Sequence, residues 1–210
     1  MSNLFKLVEV SAKLCSVTVK KPQNRQERRK AQTRKRLLDA TQTLVLEKGV
    51  DALTVNDIIE KADVGRGTFY VYFETKEEAV WNLLSAMFRE IEDHLSQQLD
   101  TGDEARLAKW RFIFQTITTH QDLVSTLIGQ NGHISTRIRM ENYIAEIMIE
   151  DLEKGTLTPK QDIALPLLSR YLAGALTSMI AHWLEQPKTL NVDDIATSFF
   201  LLANNQFESS

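Results

Sequence analysis

The chain has 210 residues, 43% hydrophobic and 25% charged, enough apolar material for one or two domains with a substantial core. Its single cysteine, Cys15, can close no intramolecular disulfide, which points to a reducing cytoplasm, and no apolar run approaches the ~20 residues of a membrane span. The formal charge of −3 hides a division: residues 20–76 carry 13 Lys and Arg against 8 Asp and Glu, whereas residues 77–210 carry 10 against 19. A basic amino-terminal part joined to an acidic remainder suits a nucleic-acid head on a body that avoids nucleic acid.

Residues 1–24 read as an extra tail. Leu4, Phe5, Leu7, Val8, Val10, Leu14 and Val17 are interrupted by Lys6, Glu9 and Lys13, so the segment lacks the clean apolar core of a signal peptide. Pro22 separates it from a first helix expected over 26–48, with Leu37, Ala40, Leu44 and Val45 on its buried face. For the arginines before residue 34, two roles stay open: reaching along a minor groove, or adding affinity as a solvated cluster through counterion release.

The densest information lies in residues 54–76. Thr54 is suited to cap a second helix, with Asp57 three residues on in the position of a capping-box carboxylate. Val55, Ile58, Ile59 and Ala62 fall on one face of that helix, and Asp63 tolerates the left-handed backbone of a tight turn. A third helix is expected over 66–73, with Phe69 and Phe73 inward and Arg66, Gly67, Thr68, Tyr70 and Tyr72 outward. Arg pairs with guanine edges, Thr meets a thymine methyl, Tyr donates to phosphate, and Gly67 lets the backbone approach a groove closely. Asn56, on the outer face of the second helix, is placed to reach a base or a phosphate.

This segment resembles the DNA-binding domain of the TetR family of bacterial transcriptional regulators. The likeness rests on Gly49, Leu53-Thr54, Ala62-Asp63-Val64, Gly67-Thr68-Phe69-Tyr70, Tyr72-Phe73 and Lys76-Glu77. Gly65 departs from it, since the family often has Ser or another capping residue there, and a phosphate contact is lost. The resemblance implies that Thr33 and Arg34, near the start of the first helix, meet a phosphate. It implies the same of Lys76 and Thr54, at the starts of the fourth and second helices.

Beyond Lys76 the chain reads as helix throughout, over about 76–99, 104–119, 122–129, 135–153, 160–185 and 192–205. The expected fold is all-α: a three-helix helix-turn-helix head over 25–75 and a six-helix ligand-binding and dimerisation body over 76–210. His94, His120, His133 and His182 lack a second metal ligand at i+3 or i+4, and no glycine-rich phosphate loop is present, so no enzyme, metal or cofactor is expected. The helices over 160–185 and 192–205 are apolar around most of their girth, which demands a partner on each side. A twofold four-helix bundle meets that demand, with Leu168, Leu172, Ala175, Met179, Trp183, Ile195, Phe199 and Leu202 at the homodimer interface. TetR-type proteins dimerise in this way, and the symmetry matches a palindromic double-stranded operator.

The body also resembles, through Leu127–Gly132 and the run from Tyr171 to Leu184, a TetR subgroup of regulators of small-metabolite operons, some of which respond to a protein partner. The family resemblance implies a pocket for a small, moderately apolar ligand, with Trp81, Phe88, Trp110, Phe114, Met140, Tyr143, Ile147 and Tyr171 as lining candidates. The expectation is a cytoplasmic, ligand-responsive repressor. The rival is a DNA-anchored interaction protein, or an activator, controlled by a protein partner.

Overall fold

The computed structural model describes residues 24–97, 102–129, 132–153, 158–186 and 190–207. The tail expected over 1–24, with Cys15 and Pro22, lies almost wholly outside the described residues. Among those described, nine α-helices follow in order: α1 (Arg25–Lys48), α2 (Val55–Ala62), α3 (Arg66–Tyr72), α4 (Lys76–Ser96), α5 (Asp103–Thr119), α6 (Gln121–Ile128), α7 (Ile134–Glu153), α8 (Leu165–Glu185) and α9 (Val192–Asn204). The all-α expectation holds, and no described helix is long and apolar enough to cross a membrane.

Internal contacts divide the chain into two units. One runs to Leu44 and resumes over Leu53–Arg89; the other takes Val45–Ala52 and everything from Glu90 onward. The division thus falls inside α4, whereas the sequence suggested a boundary at 75/76. The stretch of α4 from Lys76 to Arg89, almost four turns, belongs to the head, and Ala79, Val80 and Leu84 are fully buried in it.

In the head, Leu37, Ala40, Thr41 and Leu44 of α1 form one buried stripe at helical spacing. Buried in the same unit are Leu53, Ile58 and Ala62 from α2 and its approach, Phe69 of α3 and Phe73 just beyond. Phe69 is fully buried and meets Tyr70 edge-on at 5.4 Å and Phe73 at 5.7 Å between ring centroids.

In the body, α7 packs along α8 and α9 along α5, with α6 against both α7 and α8. An aromatic cluster joins α5, α8 and α9. Phe114 is edge-on to Trp183 at 5.5 Å, and Phe199 meets Trp110 at 4.4 Å and Phe114 at 6.5 Å. The Trp183 indole donates to the Leu190 carbonyl at 2.9 Å, which ties the last turn of α8 to the residue pair before α9. A capping box of Asn191 and Asp194 then starts α9.

The start of α8 corrects the sequence reading. The helix begins at Leu165, five residues later than expected, because Pro166 and not Pro159 occupies its first turn. The segment before it is extended: Pro159 bridges antiparallel to Phe207, and the Lys160 amide donates to the Gln206 carbonyl at 2.9 Å.

Candidate nucleic-acid interface

The helix-turn-helix is held by local rules that close on themselves. The Thr54 hydroxyl accepts from the Asp57 amide at 3.2 Å, while the Asp57 carboxylate accepts from the Thr54 amide at 2.8 Å. This satisfies two amides at the start of α2. Asp63 ends α2 with φ 50 and ψ 58, the left-handed conformation its short polar side chain tolerates. The Arg36 guanidinium then locks the turn to α1, donating to the carbonyls of Ala62 at 2.5 Å and Asp63 at 2.9 Å. Gly65 starts α3 without a side-chain cap.

With Phe69 inward, α3 turns Arg66, Gly67, Tyr70 and Val71 outward, and leaves Thr68 and Tyr72 half-buried. Arg66 Nη1 donates to Asn56 Oδ1 at 3.3 Å, so the outer faces of α2 and α3 form one polar surface. A Cβ added at Gly67 would meet nothing within 4 Å, so no contact inside the protein requires glycine there. The sequence reading passed over Val71. It is 75% exposed, the most exposed large apolar side chain described, on the helix that offers the polar readers. Its signal was legible: midway between the inward Phe69 and Phe73, an α-helix points outward.

Three of the residues expected at phosphates are engaged within the head. Arg34 Nη2 donates to Asn82 Oδ1 at 2.6 Å, and its guanidinium lies 5.8 Å from the centre of the Phe73 ring. Burial lowers the Arg34 pKa, the nearby Arg89 lowers it further, and Glu78 opposes both. The pair satisfies a largely buried amide oxygen whose loss of a donor costs about 1–3 kcal/mol. Thr33 donates its hydroxyl to the Arg29 carbonyl at 3.0 Å, within its own helix. Lys76 Nζ donates to the Leu53 carbonyl at 2.7 Å, tying α4 to the approach of α2. One amide of that first turn is served by Thr75, whose hydroxyl accepts from the Glu78 amide at 3.1 Å. Thr75 is a cap the sequence reading missed.

The residues expected to line a pocket fall in both units. Trp81 and Phe88 are buried and pack on each other in the head unit, with ring centroids 5.5 Å apart. Trp110 and Phe114 belong to the aromatic cluster, and Met140 is buried. The Tyr143 hydroxyl donates to the Glu92 carboxylate, while Ile147 and Tyr171 are exposed. Glu146, one turn from Tyr143, has its pKa raised by burial; Arg170 opposes the shift and Glu150 adds to it.

Of the residues expected at a dimer interface, Leu168, Leu172, Trp183, Ile195 and Phe199 are buried within their own chain, and Ala175 and Met179 are half-buried. Leu202 is 62% exposed. The exposed apolar positions of α8 and α9 are instead Leu167, Tyr171, Leu201 and Leu202. On α8 the exposed apolar residues Leu167 and Tyr171 each lie one position before the expected Leu168 and Leu172.

Among the histidines, His133 deserves a chemical reading. Its Nδ1 accepts from the Ser135 hydroxyl at 2.5 Å and lies 3.3 Å from the Ser135 amide, and its Nε2 lies 3.1 Å from Asp51 Oδ1. The residue types are those of a hydrolytic triad, but the ring caps α7 and the Asp51 side chain is 80% exposed, unlike the buried acid of such a triad. The arrangement fastens the loop after α1 to the start of α7 inside the body unit.

A capped helix-turn-helix with a polar outer helix defines a DNA-binding protein built on an all-helical body. Comparison with known proteins places it further. Residues 37–80 match the family of bacterial regulatory proteins of the tetR type, and residues 109–205 match a transcriptional regulator C-terminal region. The chain belongs to the TetR family of transcriptional regulators.

The transcriptional repressor KstR2 of Rhodococcus jostii is 25% identical over 81% of this chain and 88% of its own length. A helix-turn-helix regulator of Lactococcus lactis is 33% identical over 36% of this chain, a match that spans only 39% of that protein. The fold is shared with FadR of Thermus thermophilus, a TetR-family repressor solved with lauroyl-CoA: TM-score 0.53 and 22% identity, covering 81% of this chain and 92% of that one.

Proposed function

We propose that the protein is a cytoplasmic homodimeric repressor that reads a palindromic operator with α3 and releases it when a small, moderately apolar ligand enters the body. The observation that carries this reading is the outer face of α3, where Arg66, Gly67, Tyr70 and Val71 stand exposed on a helix fixed from beneath by Phe69. Arg66 offers a guanine donor, Tyr70 a phosphate or base partner, and Val71 an apolar contact for a thymine methyl. Thr54, Asn56, Thr68 and Tyr72 flank that face. Arg34, Thr33 and Lys76, held internally, position the helices in this scheme.

The dimer is supported by Leu167, Tyr171, Leu201 and Leu202, four large apolar side chains exposed on the last two helices. Two heads related by a twofold axis dock in major grooves about one helical turn apart. A ligand that binds better to a dimer with misplaced heads weakens DNA binding by that difference in affinity. The lauroyl-CoA complex of the Thermus protein supports an apolar ligand for this architecture.

A second reading, control by a protein partner, is favoured by Ile134 and Ile138, exposed at 64% and 50% one turn apart on α7.

The test is Tyr70→Ala. Tyr70 is half exposed, so the variant folds as the wild type does while its affinity for the selected operator falls about 10-fold or more, within the ~1–3 kcal/mol of a good base or phosphate contact. Measured by fluorescence anisotropy, unchanged affinity would count against docking through α3.

A further inference from the structure

Among the described residues of the head, three polar side chains are buried: Thr41, Asn82 and Ser85. Two of them bond to their own helix. The Thr41 hydroxyl donates to the Leu37 carbonyl at 2.7 Å, and the Ser85 hydroxyl donates to the Asn82 carbonyl at 2.9 Å. Asn82 differs, because its side-chain oxygen accepts from Arg34 of α1 at 2.6 Å. Its side-chain amide donates to the Glu78 carbonyl of α4 at 2.9 Å, so the group is held at both ends.

The Arg34 guanidinium has another neighbour, the Phe73 ring, whose centre is 5.8 Å away. Phe73 is buried, and its amide donates to the Phe69 carbonyl at 3.0 Å, closing the last turn of α3. From α1, one charged group thus links α4 through Asn82 and the end of α3 through Phe73.

This is a costly way to join three helices. A half-buried guanidinium gives up part of its hydration, and apolar side chains of similar volume at 34 and 82 would hold the helices as firmly. What apolar packing does not supply is direction. Apolar cores lose their single arrangement before they lose stability, whereas a hydrogen bond weakens steeply when its length or angle is wrong. A buried polar pair therefore selects one arrangement where apolar packing accepts several. The arrangement selected here includes α3, whose outer face carries Arg66, Tyr70 and Val71. Contacts to base edges need those side chains precisely placed, and attraction to the phosphate backbone does not.

We propose that Asn82 and Arg34 are positioning residues: their hydrogen bond, with Phe73, orients α3 and so sets how strongly the protein prefers its operator to unrelated DNA, with neither side chain touching DNA. This rests on the DNA-binding reading above and adds a control of specificity from inside the head.

The test compares the full chain with Arg34→Met, Asn82→Leu, the double variant Arg34→Met/Asn82→Leu, and Asn82→Asp. Each single apolar change leaves the other partner short of a bond, so both lower the melting temperature. The double variant removes donor and acceptor together and recovers most of that loss. Asn82→Asp keeps an acceptor for Arg34. Affinity is then measured, below the lowest melting transition, across a salt series on two duplexes: the one that the wild-type protein selects, and an unrelated one. The double variant loses about 10-fold of its preference for the selected duplex, the worth of one base contact. Its binding to the unrelated duplex and its log–log salt slope match the wild type, and Asn82→Asp keeps the wild-type preference. A double variant that recovers its preference along with its melting temperature overturns the proposal, because the pair then only fills space. A salt slope shallower by about one wherever Arg34 is replaced also overturns it, since Arg34 then meets a phosphate. If the double variant does not fold, Asn82→Leu against Asn82→Asp decides: preference lost only with Leu supports the proposal, and equal preference refutes it. A wild type that binds both duplexes alike refutes the DNA-binding reading itself, and this inference falls with it.

Discussion

Replacing Leu167 and Leu201 together by Glu is expected to convert the protein into a folded monomer that no longer holds its operator. Both side chains are largely exposed in the single chain, at 68% and 62%, so the substitutions disturb nothing inside it. In a twofold dimer each appears twice, which places four carboxylates in an apolar seam at no less than about 1 kcal/mol each. The summed cost of about 4 kcal/mol or more weakens association at least 1,000-fold. Operator binding follows, because a monomer meets one half-site without the second head. Light scattering after gel filtration reads the mass directly. A dimer that persists at micromolar protein would show that the partner covers another face.

Phe69→Ala is expected to unfold the head. Phe69 is fully buried, and its ring meets Tyr70 and Phe73. Truncating such a phenylalanine costs about 3–5 kcal/mol through lost burial and the cavity left behind. Against a typical domain stability of about 5–15 kcal/mol, that removes much of what holds the helix-turn-helix. Denaturant unfolding followed by far-ultraviolet circular dichroism should show a destabilised transition for the head, with DNA binding lost in parallel. Phe69→Leu, closer in volume, should recover much of the loss. A decrease below about 1 kcal/mol for Phe69→Ala would mean that the core of the head does not depend on this ring.

The head was legible in the sequence because its determinants are local. Thr54 with Asp57, Asp63 in the left-handed turn, and Phe69 with Phe73 follow from capping, backbone conformation and helical spacing, each within a few residues. Arg34 was not legible, because its partner Asn82 lies 48 residues away and nothing local announces a buried amide. The hydrogen bond from Lys76 was not legible for the same reason, since the carbonyl that takes it belongs to Leu53.

The body shows a different limit. Helices apolar around most of their girth declare that two sides are covered, but not which side faces inward. The sequence pointed to Leu168 and Leu172 as partner-facing, and packing against α7 and α6 draws them inside, leaving Leu167 and Tyr171 out. The delayed start of α8 has a simpler cause: two prolines compete to mark it, and only Pro166 sits where a helix accepts one.

The most direct test of the central claim is selection of genomic DNA fragments by the purified wild-type protein at a fixed, stated salt concentration. The account predicts enrichment of a palindromic site whose half-sites lie about one helical turn apart, as two α3 helices in a twofold dimer require. Diffuse enrichment with no palindrome would contradict it.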